Sequence, residues 1–159
     1  MRTSTPTSDH LACRLNDQDA TVSIERLNPP ELHQPPGYHH VTIVDAGRTA
    51  HLAGQCPLDA SGRVVGSGDG DDALMAQVDQ VVANALVALS ASGASPECVV
   101  RSVIYVVGDD RAALGKVWTR LIESALGPAF TSASTLLGVA QLGFPSQRVE
   151  VDLTAALPK

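Results

Sequence analysis

Hydrophobic residues recur at helical spacing in the stretch 71–92. The apolar positions lie three or four residues apart, at Leu74, Val78, Val81, Val82, Ala85, Leu86 and Leu89. Residues at this spacing share one face of a helix. Asp71 and Asp72 suit the positive end of the helix dipole, and Gly93 supplies a C-terminal stop. The pattern predicts a long helix with one buried face.

A second helix is predicted after Asp109 or Asp110, either of which suits a helix N-cap. Its apolar positions are Leu114, Val117, Trp118, Leu121, Ile122 and Ala125. Gly127-Pro128 ends this pattern, because neither residue continues a helix well. Between the two helices, Ser95-Pro96-Glu97 favours one short helical turn.

Short stretches rich in β-branched residues, or alternating between apolar and polar, predict strands. They cover residues 22–27, 40–44, 49–53, 99–107, 134–140 and 148–155. The resulting element order is β-β-β-α-β-α-β-β. Two helices joined to such a sheet cover one of its faces, so the chain is predicted to have an α+β layer architecture. We expect oligomerisation to cover the other face.

The 159 residues fit one domain. Residues 1–20 form a flexible polar tail in this interpretation, since they lack the apolar core of a signal peptide. Residues 21–159 form the domain, and no run approaches the roughly 20 apolar residues of a membrane span. The net charge of −6 and the 3% of aromatic residues argue against a nucleic-acid partner.

Cysteine usage indicates the compartment. Cys13, Cys56 and Cys98 are odd in number and widely scattered, which argues against a disulfide framework. A reducing cytosol fits this usage, so we expect a cytoplasmic protein. Cys56 is the best thiol candidate because it follows Gly54-Gln55, although a buried free cysteine is usually inert.

Glu150 is the carboxylate with two open interpretations. It lies in the segment R-V-E-V-D-L, where apolar residues alternate with charged ones. One interpretation is a solvated or ion-paired strand face. The other is a carboxylate that faces an interface pocket and transfers protons.

Tyr38 follows the loop residues Pro36-Gly37 and either covers the edge of the core or forms a wall of a small polar site. Metal binding is not predicted. His39 and His40 are adjacent, so they would point to opposite faces of a strand, and no recognised ligand spacing includes them. No cofactor motif is present either, since the glycines at 66 and 68 lack a following Lys-Ser/Thr.

Several ordered segments resemble the Rid/YjgF/L-PSP family. They are N-P at 28–29, P-G-Y at 36–38, L-A-G-Q-C-P-L-D at 52–59, G-S-G-D at 66–69, the helix carrying Gln77 and Asn84, the run at 92–106 and the closing R-V-E-V-D. The resemblance extends from about residue 23 to residue 157. It implies a fold similar to Bacillus-type chorismate mutase and a homotrimer whose sheets form a barrel, with small-molecule pockets between subunits.

The resemblance also implies site residues. Well-understood members hydrolyse reactive imines and enamines, with a water-activating Glu and a pocket Tyr, which correspond to Glu150 and Tyr38. Small residues at a strand end correspond to Ala53 and Gly54, and Cys56 follows them. The carboxylate-binding Arg of the deaminases corresponds to Ala133, in a segment that continues with Ser134 and Thr135. The chain therefore resembles branches that lack this Arg.

These observations lead to two functional hypotheses. The first is a deaminase-like hydrolase of a small imine, enamine or related carbonyl compound, with Glu150 activating water and no metal or cofactor. The second is a non-catalytic trimer that binds a small metabolite or serves a pathway as an accessory protein. Endoribonuclease activity, which is sometimes attached to the family's name, fits the acidic composition badly. Gln77 and Asn84 are expected to bond their helix to neighbouring backbone.

Overall fold

The computed structural model describes residues 8–14, 21–45 and 47–157. It contains seven strands, two α-helices and two short 3₁₀ helices. The strands are β1 (Ser8–Arg14), β2 (Thr21–Leu27), β3 (Val41–Val44), β4 (Arg48–His51), β5 (Val99–Val107), β6 (Ala133–Val139) and β7 (Val149–Leu157). The helices are α1 (Asp71–Ser92) and α2 (Arg111–Ile122), and the 3₁₀ helices span Pro96–Cys98 and Gly127–Thr131.

The strands form two sheets. An antiparallel sheet has the order β1-β2-β3, and a mixed four-stranded sheet has the order β4-β7-β5-β6. In the mixed sheet β7 pairs antiparallel with both β4 and β5, whereas β5 and β6 run parallel. The parallel pair is connected through α2, as parallel neighbours require a crossover.

Helix α1 begins and ends where the sequence predicts. Gly93 ends it with a left-handed backbone (φ 81°), and its N–H donates to the carbonyl oxygens of Leu89 and Ser90. In α2 the Asp110 carboxylate caps the helix by accepting from the N–H of Ala112 at 2.8 Å. Asp110, rather than Asp109, is therefore the N-cap.

Both helices pack on one face of the mixed sheet, which confirms the predicted α+β architecture. Alternate residues of β5 and β7 are fully buried in a single core, together with the apolar stripe of α1 and with Val117 and Leu121 of α2. The intervening residues of these strands are only partly buried. We call the sheet side that carries them, away from the helices, the open face.

Helix α1 is long and apolar enough to cross a membrane by length and composition, with a mean hydropathy of 1.4. Gln77, Asp79, Gln80 and Asn84 interrupt its sequence, so α1 contains no run of roughly 20 apolar residues. Its Leu74, Val78 and Val81 are fully buried in the core. The core helix of a soluble protein passes the same test, so α1 by itself is weak evidence for a membrane span.

Two features near the start of the chain differ from the expectations. Residues 8–14, which fall in the predicted tail, form β1 and pair antiparallel with β2. The other residues of that tail, 1–7 and 15–20, lie outside the described part of the chain. Cys98 is disulfide-bonded, so the expectation that disulfides are absent is wrong for this residue. Cys56 is a free thiol.

Gly66 is a position where we expect a substitution to destabilise the fold. Its backbone is left-handed (φ 56°), and a Cβ there would overlap the carbonyl oxygen of Ala73 in α1. Gly66→Ala should lower the free energy of unfolding by about 1–3 kcal/mol, because backbone on both sides must move. Urea denaturation measures this change. Gly68→Ala is the matched control, since a Cβ at 68 would meet only the Ala73 methyl group at an ordinary 3.5 Å.

Candidate functional site

Glu150 projects from the open face. Its neighbours in β7, Val149 and Val151, are fully buried, whereas Glu150 is partly exposed. Strand pairing places Tyr105 of β5 directly opposite Glu150 and Val103 opposite Asp152. The strand interpretation of R-V-E-V-D-L is therefore correct, and its charged side meets other polar groups rather than solvent alone.

The Glu150 carboxylate is held by Gln147. The Gln147 side-chain amide donates to Oε2 of Glu150 at 2.9 Å, and only 4% of Gln147 is exposed. The other end of the amide is also fixed, because Gln147 Oε1 accepts from the N–H of Phe144 at 3.1 Å. A buried amide with both ends bonded orients the carboxylate at little further entropic cost.

Gly54 makes room for the same carboxylate. Gln55 and Val151 exchange two backbone hydrogen bonds, of 2.9 and 3.2 Å, which bring the chain at Gly54 against β7. A Cβ at position 54 would overlap Glu150 Oε1 and would lie 3.1 Å from Asp152 Oδ1. The glycine is thus required by the close approach of a side chain.

The Cys56 thiol belongs to this cluster. Its Sγ lies 3.7 Å from the Gly54 carbonyl oxygen, which accepts the thiol proton. Burial is the largest influence on the Cys56 pKa, and the negative charge of Glu150 is the next. Together they raise this pKa from 9.0 to about 11, against an opposing hydrogen bond from Gln147. The thiol is therefore protonated at neutral pH and is a weak nucleophile.

Alkylation of Cys56 should report the state of Glu150. With a pKa of about 11, only about one thiol in a thousand is ionised at pH 8, so iodoacetamide should react slowly and about tenfold faster per added pH unit. Glu150→Gln removes a negative charge and should lower the Cys56 pKa, which raises the alkylation rate at pH 8. Mass spectrometry of the Cys56 peptide measures both rates. Equal rates in the two proteins would contradict the coupling of these groups.

A second polar pair adjoins Glu150 on the open face. The Tyr105 hydroxyl donates to Oδ2 of Asp152 at 3.0 Å. This hydrogen bond is the main reason that the Tyr105 pKa is raised, followed by burial and by the charges of Asp152 and Glu150; Arg101 opposes the shift. Sequence reasoning missed Tyr105 and Asp152. The alternation around Glu150 could have identified Asp152, whereas Tyr105 required the strand register.

Tyr38 lies apart from the cluster around Glu150. Its ring packs edge-to-face with Trp118 of α2, at 6.3 Å between centroids, and its hydroxyl forms a 3.3 Å hydrogen bond with His33 Nε2. Ser134 is on this side too, because its hydroxyl shares a 2.6 Å hydrogen bond with the buried Ser102. Within one chain, Gly54, Cys56 and Glu150 are therefore brought together, while Tyr38 and Ser134 form a separate group.

The remaining predicted site residues are Ala53, Ala133 and Thr135. Ala53 is exposed at the end of the β4 segment, and its carbonyl oxygen accepts from the Gln55 side chain at 2.8 Å. Ala133 and Thr135 of β6 are partly buried and pair with Arg101 and Val103 of β5. Successive strand residues point to opposite faces, so Ala133 and Thr135 face away from Ser134.

Comparisons with known proteins identify the family. A family model described as Endoribonuclease L-PSP matches residues 32–157 of the chain. The chain belongs to the Rid/YjgF/L-PSP family.

Solved structures of Rid/YjgF proteins share the fold. A Yersinia pestis protein of unknown function from the conserved Rid family, YyfB, is 33% identical; the match covers 84% of this chain and 98% of that one, with a TM-score of 0.73. Rv2704 of Mycobacterium tuberculosis, a member of the YjgF/YER057c/UK114 family, is 26% identical with a TM-score of 0.52, and the match covers 76% of this chain and 87% of that one.

Among curated proteins, DfrA of Myxococcus xanthus is 34% identical over 89 residues. That match covers 55% of this chain and spans 65% of the relative's length. The match assigns no reaction to this chain.

Arg101 occupies a notable position for a Rid protein whose residue 133 is alanine. It is the direct strand neighbour of Ala133, it is exposed, and within the described part of the chain its guanidinium has no hydrogen bond or ion pair. Neighbouring strands lie about 4.8 Å apart, so the Arg101 side chain can occupy the space beside the Ala133 methyl group.

Two side-chain amides of α1 donate hydrogen bonds to the backbone of neighbouring segments, as predicted. The Asn84 side chain donates to the carbonyl oxygens of Cys56 and Leu58 at 2.9 and 3.0 Å. Gln77 donates to the Gly66 carbonyl oxygen at 2.9 Å.

Over residues 21–45 and 47–157, no three His, Cys, Asp or Glu side chains are grouped as metal ligands.

Proposed function

We propose that this Rid-family chain is a hydrolase of small imines or enamines, with Glu150 as the group that activates water. The arrangement of Glu150 carries the proposal. Its carboxylate is partly buried on the open face and is oriented by Gln147. The absence of a side chain at Gly54 leaves space for it. A carboxylate fixed in this way, yet reachable from one side, suits proton transfer to and from water.

The reaction needs only proton transfers. Glu150 accepts a proton as the oxygen of water bonds to the carbon of the C=N group, and the imine nitrogen gains a proton. In the resulting carbinolamine the nitrogen gains one further proton as the C–N bond breaks and the hydroxyl gives up its proton, so ammonia leaves and a carbonyl product remains with no net change in protons. The step from C=N and water to C=O and ammonia is balanced without a metal or cofactor.

The site is proposed to lie between subunits of a homotrimer. Two observations support this: the described part of the chain leaves the residues of the open face partly exposed, and Tyr38 packs on α2, away from Glu150 of its own chain. In a trimer a neighbouring chain would cover Glu150 and would bring further polar groups.

A cytoplasmic location stays a prediction, and the disulfide at Cys98 is the feature that weighs against it.

The direct test generates 2-aminoacrylate in situ and follows its disappearance with and without the protein. Acceleration above buffer supports the hydrolase. If neither 2-aminoacrylate nor an uncharged imine is lost faster than in buffer, the hydrolase is excluded.

In that case the second hypothesis, a metabolite-binding or accessory trimer, takes its place. Ala133 is the observation in its favour, since it provides no charge for a substrate carboxylate.

We expect Arg101 to decide between carboxylated and uncharged substrates. If it binds the substrate carboxylate, Arg101→Gln should raise KM for a carboxylated imine roughly ten- to a hundredfold, the equivalent of a charge-assisted hydrogen bond of about 1.5–3 kcal/mol. KM for an uncharged imine should not change. Steady-state kinetics on both substrates measures this difference, and equal effects on both would exclude the role.

A further inference from the structure

A separate cavity of about 190 Å³, open to the surface beside the exposed Pro36 and Gly115, lies on the helix side of β6. It is formed by α2, by β6 and by the loop that precedes β3. The lining residues are Pro36, Tyr38, Gly115, Trp118, Ser134 and Leu136. None of them belongs to the Glu150 cluster, and none is an acid or a base that is charged at neutral pH.

The polar groups of this lining already have partners. The Trp118 indole N–H donates to the Pro36 carbonyl oxygen at 3.3 Å. The Ser134 hydroxyl bonds to Ser102, and the Tyr38 hydroxyl bonds to His33. The surface offered to a ligand is therefore carbon, so a ligand is held by burial of apolar surface and by contact with the two aromatic rings.

Gly115 keeps the cavity open. It lies inside α2, where glycine is less stable than alanine by about 1 kcal/mol. No close contact requires this glycine, since a Cβ built at 115 would meet no atom within 4 Å. A larger residue at this position would instead project toward the space beside Trp118. With glycine at 115, the cavity wall carries no side chain at this point.

We propose that this cavity binds a small, uncharged, planar aromatic molecule. Its volume suits a single ring, since an apolar cavity of about 150 Å³ holds benzene. The Tyr38 and Trp118 rings stand at 85° to each other, 6.3 Å apart, so a flat ring that stacks on one can turn its edge toward the face of the other. The absence of a charged lining residue disfavours ionic ligands.

Trp118 is the only tryptophan of the chain, so its fluorescence reports on this cavity. Toluene, which does not absorb at the red edge of tryptophan absorption, is the probe. Titration of the full chain should give a saturable change in Trp118 emission. Benzoate, the charged analogue, should bind at least about tenfold more weakly, and methylcyclohexane, the non-planar one, about three- to tenfold more weakly.

Two substitutions fill the cavity from opposite sides. Gly115→Leu fills it from α2 and Leu136→Phe from β6, and each should weaken toluene binding at least about tenfold. Ala83→Leu, which places a leucine at an exposed position of α1 instead, should bind toluene like the wild type. Circular dichroism checks that each variant is folded.

Three results would overturn the proposal. They are a non-saturable response of the wild type, unchanged toluene affinity in a folded cavity-filling variant, and methylcyclohexane affinity equal to that of toluene. The test does not depend on hydrolase activity, because binding at Trp118 is measured directly.

Discussion

Glu150→Gln is expected to abolish most of the imine hydrolysis by this chain. Loss of a positioned general base lowers the rate about 10²–10⁴-fold. The amide keeps the size of the carboxylate but does not accept a proton from water, so kcat should fall far more than KM rises. Disappearance of 2-aminoacrylate, followed at several substrate concentrations, separates the two parameters.

Glu123→Gln is the matched control, because Glu123 is exposed at the end of α2 and lies outside the Glu150 cluster. Its activity should equal that of the wild type. Circular dichroism and urea denaturation check that the Glu150→Gln variant is folded. If Glu150→Gln retains more than half of the wild-type rate, Glu150 is not the water-activating group.

Gly54→Ala should remove activity while the fold survives. The new methyl group would overlap the Glu150 carboxylate, which is the far end of a flexible side chain and can swing aside. Displacement of a reacting group by about 1 Å can lower a rate about 10²-fold. The free energy of unfolding should change by less than about 1 kcal/mol, as no backbone atom is in the way.

Gly143→Ala is the companion variant for this experiment, because a Cβ at 143 would have no neighbour within 4 Å. It should match the wild type in both activity and urea denaturation. A Gly54→Ala protein that is fully active would show that Glu150 does not need its observed position. A Gly54→Ala protein that is largely unfolded would show that the close approach supports the fold rather than the chemistry.

The helices and inner strands are predictable because their signals are local. Helix α1 combines a helical repeat with Gly93 as a stop, and β5 is a run of β-branched residues. Strand β1 lacks such a signal, because S-D-H-L-A-C-R neither alternates nor concentrates β-branched residues. It is a strand through pairing with β2, which is a tertiary contact that local propensity does not encode.

The candidate site is predictable only in part, for the same reason. Alternation along β7 and the family resemblance both indicate Glu150. The bond from Gln147 depends on how the loop before β7 closes, and the position of Tyr105 depends on the β5–β7 register. Tyr38 and Glu150 do not meet within one chain, because the Tyr38 ring packs on Trp118. Their meeting in a pocket between subunits stays a prediction.

The strand order has a consequence for how the protein is made. Strand β7 is the last of the described strands, yet it lies between β4 and β5 in the mixed sheet. During synthesis β4 and β5 have no sheet partner on that side until β7 leaves the ribosome. Pairing over such long sequence separations is slow. The nascent chain therefore completes its core and receives Glu150 in one late step, and no earlier fragment holds the assembled site.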